Sequence, residues 1–150
     1  MLTAMKNVDT LLRLTTNLIN FSKANVYSSS LRISEHELNT YMEGICHAFY
    51  SYAEAKQIKL DYKSNFEYQN VWFDKEKMDS ITKNLISNAI KYTPAHGEVH
   101  IIICHDKDNW SLEITDTGIG IPAKEQKKLF KLHFRGSNAI NAKLQAVESD

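Results

Sequence analysis

Residues 74–92 constrain the fold of this chain more than any other segment, because they carry a helical pattern with a defined end. Apolar residues recur there at steps of three and four, and Pro94 disfavours helical geometry in the residue before it. The predicted polar face carries Asn84, Asn88 and Lys91. The predicted apolar face carries Met78, Leu85 and Ala89. Such a helix needs an apolar layer on one side only.

Segments on both sides of this helix predict strands and a further helix. Strands are expected from alternating or aromatic residues at 31–33, 58–62, 70–73, 97–105 and 110–115, with a hairpin turn at 106–109. The further helix has its predicted apolar face at Leu38, Tyr41, Met42, Ile45, Phe49, Tyr52 and Ala53. This order of elements favours an α+β fold, a two-layer sandwich in which helices cover one open sheet.

Residues 1–27 carry the separate pattern of an amphipathic helix. Its apolar stripe includes Leu11, Leu14, Leu18 and Phe21. Polar residues fill the other positions, so the helix needs a partner surface, for which a helical bundle or a dimer interface is the natural choice. Three serines at positions 28–30 then predict a linker. We therefore expect a domain boundary there, with the main domain over residues 31–150.

Composition excludes several classes of function. The 18 basic residues balance the 18 acidic ones, so there is no electrostatic case for binding nucleic acid. Cys46 and Cys104 lie far apart without metal-site spacing, which fits a reducing cytoplasm. No stretch approaches the run of about 20 apolar residues that a membrane span needs. We expect a cytoplasmic chain without direct membrane contact, whose anchor, if any, lies outside it.

Two neighbouring motifs suggest a nucleotide site. The amide oxygens and the lysine on the polar face of residues 74–92 could receive a magnesium-bound triphosphate, although a solvated polar face explains the same pattern. Directly after a predicted strand, Asp116 precedes Gly118 and Gly120. The glycines allow a close backbone approach, and the carboxylate can accept a hydrogen bond from an amino group such as that of adenine. No Walker loop follows.

A third motif spans residues 129–136. Phe130 and Phe134 are four positions apart, so they share one face of a helical turn and could anchor the base of a loop. Arg135 would then remain available for an anion. A short amphipathic helix without a binding role explains these residues equally well.

The order of the three motifs resembles the N box, first glycine box and F box of sensor histidine kinases. These kinases belong to the Bergerat-fold ATPases, and the run Asn-Leu-Ile-Ser-Asn-Ala-Ile-Lys-Tyr-Thr-Pro at residues 84–94 is distinctive of them. The resemblance implies a mixed sheet in the main domain. It also implies that residues 1–27 are the second helix of a dimerisation and phosphotransfer hairpin, and that residues 31–150 are an ATP-binding catalytic domain.

The resemblance further implies a role for each motif residue. Asn88 would hold Mg2+, Asn84 would support the metal and phosphate site, and Lys91 would contact phosphates. Tyr92 would pack near the nucleotide, and Asp116 would recognise the adenine amino group. The remaining implied ATP-binding residues are Gly118 and Gly120, which would shape the pocket, Phe130 and Phe134, which would anchor a lid over the nucleotide, and Arg135, which would reach a phosphate.

The implied reaction transfers the γ-phosphoryl group of ATP to a histidine and then to an aspartate of a response regulator or receiver domain. Two parts of the family pattern are missing: a second glycine box after Asn141, and an acceptor histidine. His36-Glu37-Leu38 only superficially resembles an acceptor box, because it lacks the arginine and proline and follows the bundle-like helix. We therefore expect this chain to be inactive alone, or alternatively to be a degenerate, non-catalytic module for dimerisation or signal relay.

Overall fold

The computed structural model describes residues 30–107, 109–129 and 137–138. The chain divides into two compact units, Met1–Arg32 and Ile33–Asp150. The helix predicted over residues 1–27 and the dimer contact expected from it lie outside the described residues. In the part of the chain that is described, no helix has the length and apolar character needed to cross a membrane.

The sheet of the larger unit is mixed, as the family resemblance implied. Strand β2 (Lys59–Ser64) pairs in parallel with β4 (Glu98–Asp106), and β4 pairs antiparallel with β5 (Asn109–Asp116). The hairpin pairing brings Asp106 opposite Asn109, so the chain reverses where the turn was predicted. Alternate residues of β4 are buried, which places one face of the sheet against the core.

A second sheet has two strands, β1 (Ile33–Glu37) and β3 (Asn70–Asp74), which pair antiparallel. The single open sheet expected from the sequence is therefore divided among the described strands. Strand β1 was predicted earlier in the chain, at residues 31–33. Its sequence, Ile-Ser-Glu-His-Glu, is mostly polar because this strand is largely exposed, so it lacks the apolar alternation of a half-buried strand.

Helix α1 (Leu38–Ala55) follows β1 directly. The Glu37 carboxylate accepts hydrogen bonds from the backbone N–H groups of Asn39 at 3.0 Å, Thr40 at 2.6 Å and Gln69 at 3.1 Å. Burial alone would raise the pKa of Glu37, but these hydrogen bonds outweigh it and lower the pKa. The charged carboxylate therefore caps the helix and joins it to the loop before β3.

Helix α2 (Lys75–Tyr92) starts at an Asp74 cap, whose carboxylate accepts from the N–H of Lys77 at 3.1 Å. Its buried residues are Thr82, Ile86, Ala89 and Ile90. The predicted apolar face was wrong at Leu85, which is 47% exposed. Packing on the sheet selects the stripe with the two β-branched isoleucines, and Leu85 lies to its side.

The helices and the mixed sheet share one apolar core, so the prediction of a two-layer α+β fold is confirmed. Fully buried side chains come from both layers: Leu38, Met42, Cys46, Ile86, Ile90, Val99, Ile101 and Ile103. The short helix α3 (Ala123–Gln126) follows β5 after a glycine-containing segment. The core thus fixes α2 against β4 and β5 while the opposite side of α2 faces solvent.

Candidate functional site

The polar face of α2 is exposed over its last turns. Asn84, Asn88 and Lys91 are all solvent-exposed, while their neighbours Ala89 and Ile90 are buried in the core. The ammonium of Lys91 lies 4.8 Å from the centroid of the Tyr92 ring, a cation–π contact. Two amide oxygens and one ammonium therefore lie along one exposed edge of a helix that the core holds in place.

Helix α2 ends where the sequence predicted, at Tyr92. Thr93 has extended backbone angles, φ −91° and ψ 129°, as expected for the residue before Pro94. Its buried hydroxyl donates a 2.8 Å hydrogen bond to the carbonyl oxygen of Ala89. Thr93, at which helix α2 ends, therefore also stabilises the last turn of the helix.

Lys56, which follows α1, contacts the same end of α2. Its ammonium donates hydrogen bonds to the carbonyl oxygens of Ile90 at 2.8 Å and Lys91 at 3.2 Å. Burial and the nearby Lys91 lower the pKa of Lys56. Nothing in the sequence around Lys56 signals this contact, because the bonded residues are more than 30 positions apart.

The segment 116–120, which we call the glycine loop, begins at the end of β5. The Oδ1 atom of Asp116 accepts a 2.9 Å hydrogen bond from the N–H of Gly118. Its Oδ2 atom accepts no hydrogen bond from the described residues, and the side chain is exposed. Thr117 ties the loop to β4, because its hydroxyl accepts from the Glu98 N–H at 2.9 Å. The Asp116 carboxylate is thus oriented by the loop through Oδ1, while Oδ2 is not bonded by the described residues.

The glycine loop is also bonded to the end of α2. The N–H of Ile119 donates to the carbonyl oxygen of Tyr92 at 3.1 Å. A Cβ atom at Gly118 would lie 2.5 Å from that same carbonyl oxygen, so only glycine allows this approach. Gly120 has a φ of +62°, which also favours glycine. Gly118 therefore allows the glycine loop to lie directly against the backbone at the end of α2.

Asn138 contacts the glycine loop from farther along the chain, and sequence reasoning did not single it out. Its side-chain amide donates to the carbonyl oxygens of Ile119 at 3.1 Å and Gly120 at 2.8 Å. The adjacent Ser137 N–H donates to the Glu125 carboxylate at 2.9 Å. The loop is therefore bonded to α2 on one side and to Asn138 on the other.

The structure thus brings several of the sequence-predicted site residues to one junction. Lys91, Tyr92, Asp116, Gly118 and Gly120 meet where the end of α2 joins the glycine loop. On the same helix, Asn88 lies about one turn and Asn84 about two turns before the end. Phe130, Phe134 and Arg135 lie outside the described residues. The roles of all these residues stay predictions.

The groups at this junction fit a magnesium-bound nucleotide. Exposed amide oxygens on α2 are hard ligands of the kind that Mg2+ accepts, together with phosphate oxygens and water. The Lys91 ammonium can bind a phosphate oxygen, and the Oδ2 atom of Asp116 can accept a hydrogen bond from an exocyclic amine. Within the described residues, no group of three or more His, Cys, Asp or Glu could hold a metal ion. Neutral amides would therefore leave the phosphates themselves to supply the negative charge around the metal.

His36 is half-buried and lies beside two aromatic rings. It pairs with Val71 in the β1–β3 sheet, and its ring centroid is 4.9 Å from that of Phe73 and 6.4 Å from that of Tyr41. Its Nε2 atom is hydrogen-bonded to Ser34 Oγ at 2.8 Å. The half-buried imidazole belongs to the packing between β1 and α1.

The sequence is similar to a known protein family and to characterised proteins. The family described as Histidine kinase-, DNA gyrase B-, and HSP90-like ATPase matches residues 73–147. Histidine kinase P4 of Formosa agariphila is 30% identical over 124 residues, which are 83% of this chain and 9% of that protein. The chain therefore spans under a tenth of the length of this curated relative.

Solved structures share the fold. Histidine kinase ThkA, in complex with response regulator protein TrrA, superposes with a TM-score of 0.74 and 22% identity, covering 85% of this chain and 38% of that one. Full-length ShkA in complex with AMPPNP has a TM-score of 0.74 and 20% identity, covering 82% of this chain and 27% of that one. At these identities the likeness concerns the fold alone.

Proposed function

This chain belongs to the family of histidine kinase-, DNA gyrase B-, and HSP90-like ATPases, and on that premise we propose that it is the ATP-binding catalytic domain of a sensor histidine kinase. The observation that carries the proposal is the hydrogen bond from Ile119 N–H to Tyr92 O, which joins the two motifs at one place. A solvated polar face would not need a glycine loop bonded to its end. In the whole protein, the domain transfers the γ-phosphoryl group of ATP to a histidine.

The phosphate end of the proposed site lies on α2. Asn88 holds Mg2+, Asn84 supports the metal and phosphates, and Lys91 contacts a phosphate oxygen. When bound, Mg2+ neutralises charge that accumulates on the phosphates during transfer. The protein's part in such chemistry is positioning, because phosphoryl transfer needs little covalent help from side chains. The exposed edge of α2 supports this assignment, since it presents all three side chains to solvent.

The adenine end of the proposed site is the glycine loop. Asp116 accepts a hydrogen bond from the adenine amino group, and Tyr92 packs near the nucleotide. Gly118 and Gly120 let the loop approach the base. The lid residues predicted in sequence, Phe130, Phe134 and Arg135, complete the proposal. The orientation of Asp116 supports it, because its bond to the Gly118 N–H fixes the carboxylate before any base arrives.

The acceptor histidine in this proposal is not His36. Packing between Phe73 and Tyr41 leaves the His36 imidazole half-buried, and a nucleophile must reach the γ-phosphorus in line. The acceptor is supplied by another segment or chain, and a response regulator then receives the phosphoryl group. The complex of ThkA with TrrA supports such a partner by analogy. Dimerisation through residues 1–27 remains part of the proposal.

An NMR titration tests nucleotide binding even if it is weak. We expect millimolar ATP to perturb the amide signals of Lys91, Tyr92 and Gly118 when Mg2+ is present, and Asn88→Ala to remove the magnesium dependence. Asn70→Ala, which removes an exposed asparagine on β3, should leave the titration unchanged. If ATP with Mg2+ perturbs none of these signals, the nucleotide site is absent and a non-catalytic relay module becomes the better description.

Radiolabelled ATP tests the acceptor assignment separately. We expect no phosphoryl transfer to the 150-residue chain itself. Acid-labile labelling of the chain that His36→Gln abolishes would refute the assignment, because His36 would then be the acceptor. Labelling of a separately supplied histidine-containing helix, dependent on Asn88, would support it.

A further inference from the structure

In the last turn of α2, the carbonyl groups of residues 89–92 accept hydrogen bonds from residues outside the helix. An α-helix leaves its last four carbonyl oxygens without intrahelical partners. In α2, whose C-cap is Thr93, three of these belong to Ile90, Lys91 and Tyr92. Lys56 Nζ donates to the first two, at 2.8 and 3.2 Å, and Ile119 N–H donates to Tyr92 O at 3.1 Å. The preceding carbonyl, of Ala89, accepts from Thr93 Oγ1 at 2.8 Å.

The contact of Lys56 has a consequence for Lys91. A lysine in the last turn of a helix can fold back to bond the terminal carbonyls, where the helix dipole also favours a cation. Lys91 is the basic residue in the last turn of α2, yet its ammonium lies 4.8 Å from the Tyr92 ring centroid. Lys56 already occupies the carbonyls that Lys91 would otherwise reach. The two ammonium groups also repel, which disfavours a return of Lys91 to that end.

We propose that Lys56 is a positioning residue that keeps the Lys91 ammonium off the end of its own helix and available for a phosphate oxygen. This inference rests on the proposed function only where it names the phosphate. Lys56 itself contacts carbonyl oxygens and not the ligand. Its contribution to nucleotide affinity therefore passes entirely through the placement of Lys91.

A ligand-free experiment tests the placement directly. In the unmodified chain we expect nuclear Overhauser effects between the Lys91 side-chain methylene protons and the Tyr92 ring. Lys56→Met should weaken them, because the vacated carbonyls then attract Lys91, and Lys56→Arg should preserve them. Lys63→Met, which removes an exposed lysine of β2, is the matched charge control. Unchanged contacts in folded Lys56→Met would overturn the proposal.

A double-mutant cycle separates positioning from general damage to the site. We expect Lys56→Met to weaken binding of Mg2+-ATP about tenfold and Lys91→Met to weaken it at least as much. Lys56→Met should then cause no further loss in the Lys91→Met background. A tenfold loss in both backgrounds would mean that Lys56 only supports the fold. If the unmodified chain binds no ATP, the proposed function fails, and the nuclear Overhauser experiment still decides the role of Lys56.

Discussion

The two long helices of the domain are alike except at their C-terminal ends. Each has 18 residues, each starts at a carboxylate cap, and each buries one stripe against the sheet. Helix α1 ends in a motif built by the residues that directly follow it. Within the described ranges, helix α2 ends in hydrogen bonds from three separate segments of the chain, at Lys56, Thr93 and Ile119. The difference separates a helix that supports the fold from one whose end forms the candidate site.

The end of α1 is a Schellman motif. The N–H of Ile58 donates to the Ala53 carbonyl at 2.9 Å, and the N–H of Gln57 donates to the Glu54 carbonyl at 2.8 Å. Gln57 has a φ of 56°, in the left-handed region. All of these bonds span a few residues, so the motif needs little from the rest of the domain.

The end of α2 has no such local motif, since Thr93 is extended and Pro94 has no N–H to donate. Among the described residues, Thr93 supplies a local donor to the last turn, and Lys56 and Ile119 reach it from distant segments. The geometry of Lys91 and Tyr92 therefore depends on the tertiary structure. A site assembled in this way loses its form when any one of the contributing segments moves.

The largest expected effect follows from crowding the junction. In Gly118→Ala the added methyl group would lie 2.5 Å from Tyr92 O and 2.6 Å from Asp116 Oδ1. We expect a loss of about 2–3 kcal/mol in the free energy of unfolding, measured with urea, and loss of ATP binding. Gly120→Ala is the matched control, because its Cβ would meet nothing within 4 Å and only the left-handed φ is strained, at about 1 kcal/mol. Equal losses for the two variants would contradict the crowding.

A smaller effect is expected from Thr93→Val, which removes the local contribution to the end of α2. The buried carbonyl of Ala89 would lose its 2.8 Å hydrogen bond while the shape of the side chain is kept. We expect a loss of about 1–2 kcal/mol in thermal or urea unfolding. Thr115→Val removes an exposed hydroxyl on β5 and should change the stability by less than about 0.5 kcal/mol. If Thr93→Val lost no more stability than Thr115→Val, water would have replaced the hydroxyl as the donor to the Ala89 carbonyl.

The sequence predicted the parts of the fold that depend on local patterns. Residues 74–92 were expected to be helical from their periodicity and from the proline at position 94, and α2 runs over Lys75–Tyr92. Asp74, expected inside the helix, is its cap. Strand β1 was misplaced because its partner β3, and not apolar alternation, defines it. The buried stripe of α2 was wrong at Leu85, since only the packed sheet decides which neighbouring residues face inward.

The candidate site was predictable residue by residue only where motifs name its members. Asn88 and Asp116 come from recognisable motifs, and their placement follows from the ends of α2 and β5. Lys56 and Asn138 have no motif, because their contribution consists of single hydrogen bonds to distant carbonyl groups. Periodicity reports which face of an element is apolar, and it carries no information about which distant donor reaches a given carbonyl.

The start of α1 offers a third prediction, which tests whether the helices really are alike at their N-termini. We expect Glu37→Gln to lower the free energy of unfolding by about 1 kcal/mol at pH 7, because an amide has a single acceptor oxygen and no charge. The pKa of Glu37 is lowered in the folded state, so its stabilisation is present above about pH 4.5 and is lost as the pH falls through the folded value. Urea unfolding at pH 7 and pH 3 should show the difference shrinking, and Glu35→Gln, on the exposed face of β1, should show neither effect.

The smallest expected effect, and the only stabilising one, is at the end of α1. Gln57→Gly relieves the left-handed strain of about 1 kcal/mol at φ 56°, while glycine increases the entropy of the unfolded chain by somewhat less. We expect a net gain of about 0.5 kcal/mol in urea unfolding, since the Schellman hydrogen bonds use only the backbone of Gln57. ATP affinity should not change, because Lys56 keeps its place before the substituted residue. A change in affinity with Gln57→Gly would mean that the ends of the two helices are coupled, and that the local motif of α1 also sets where Lys56 reaches α2.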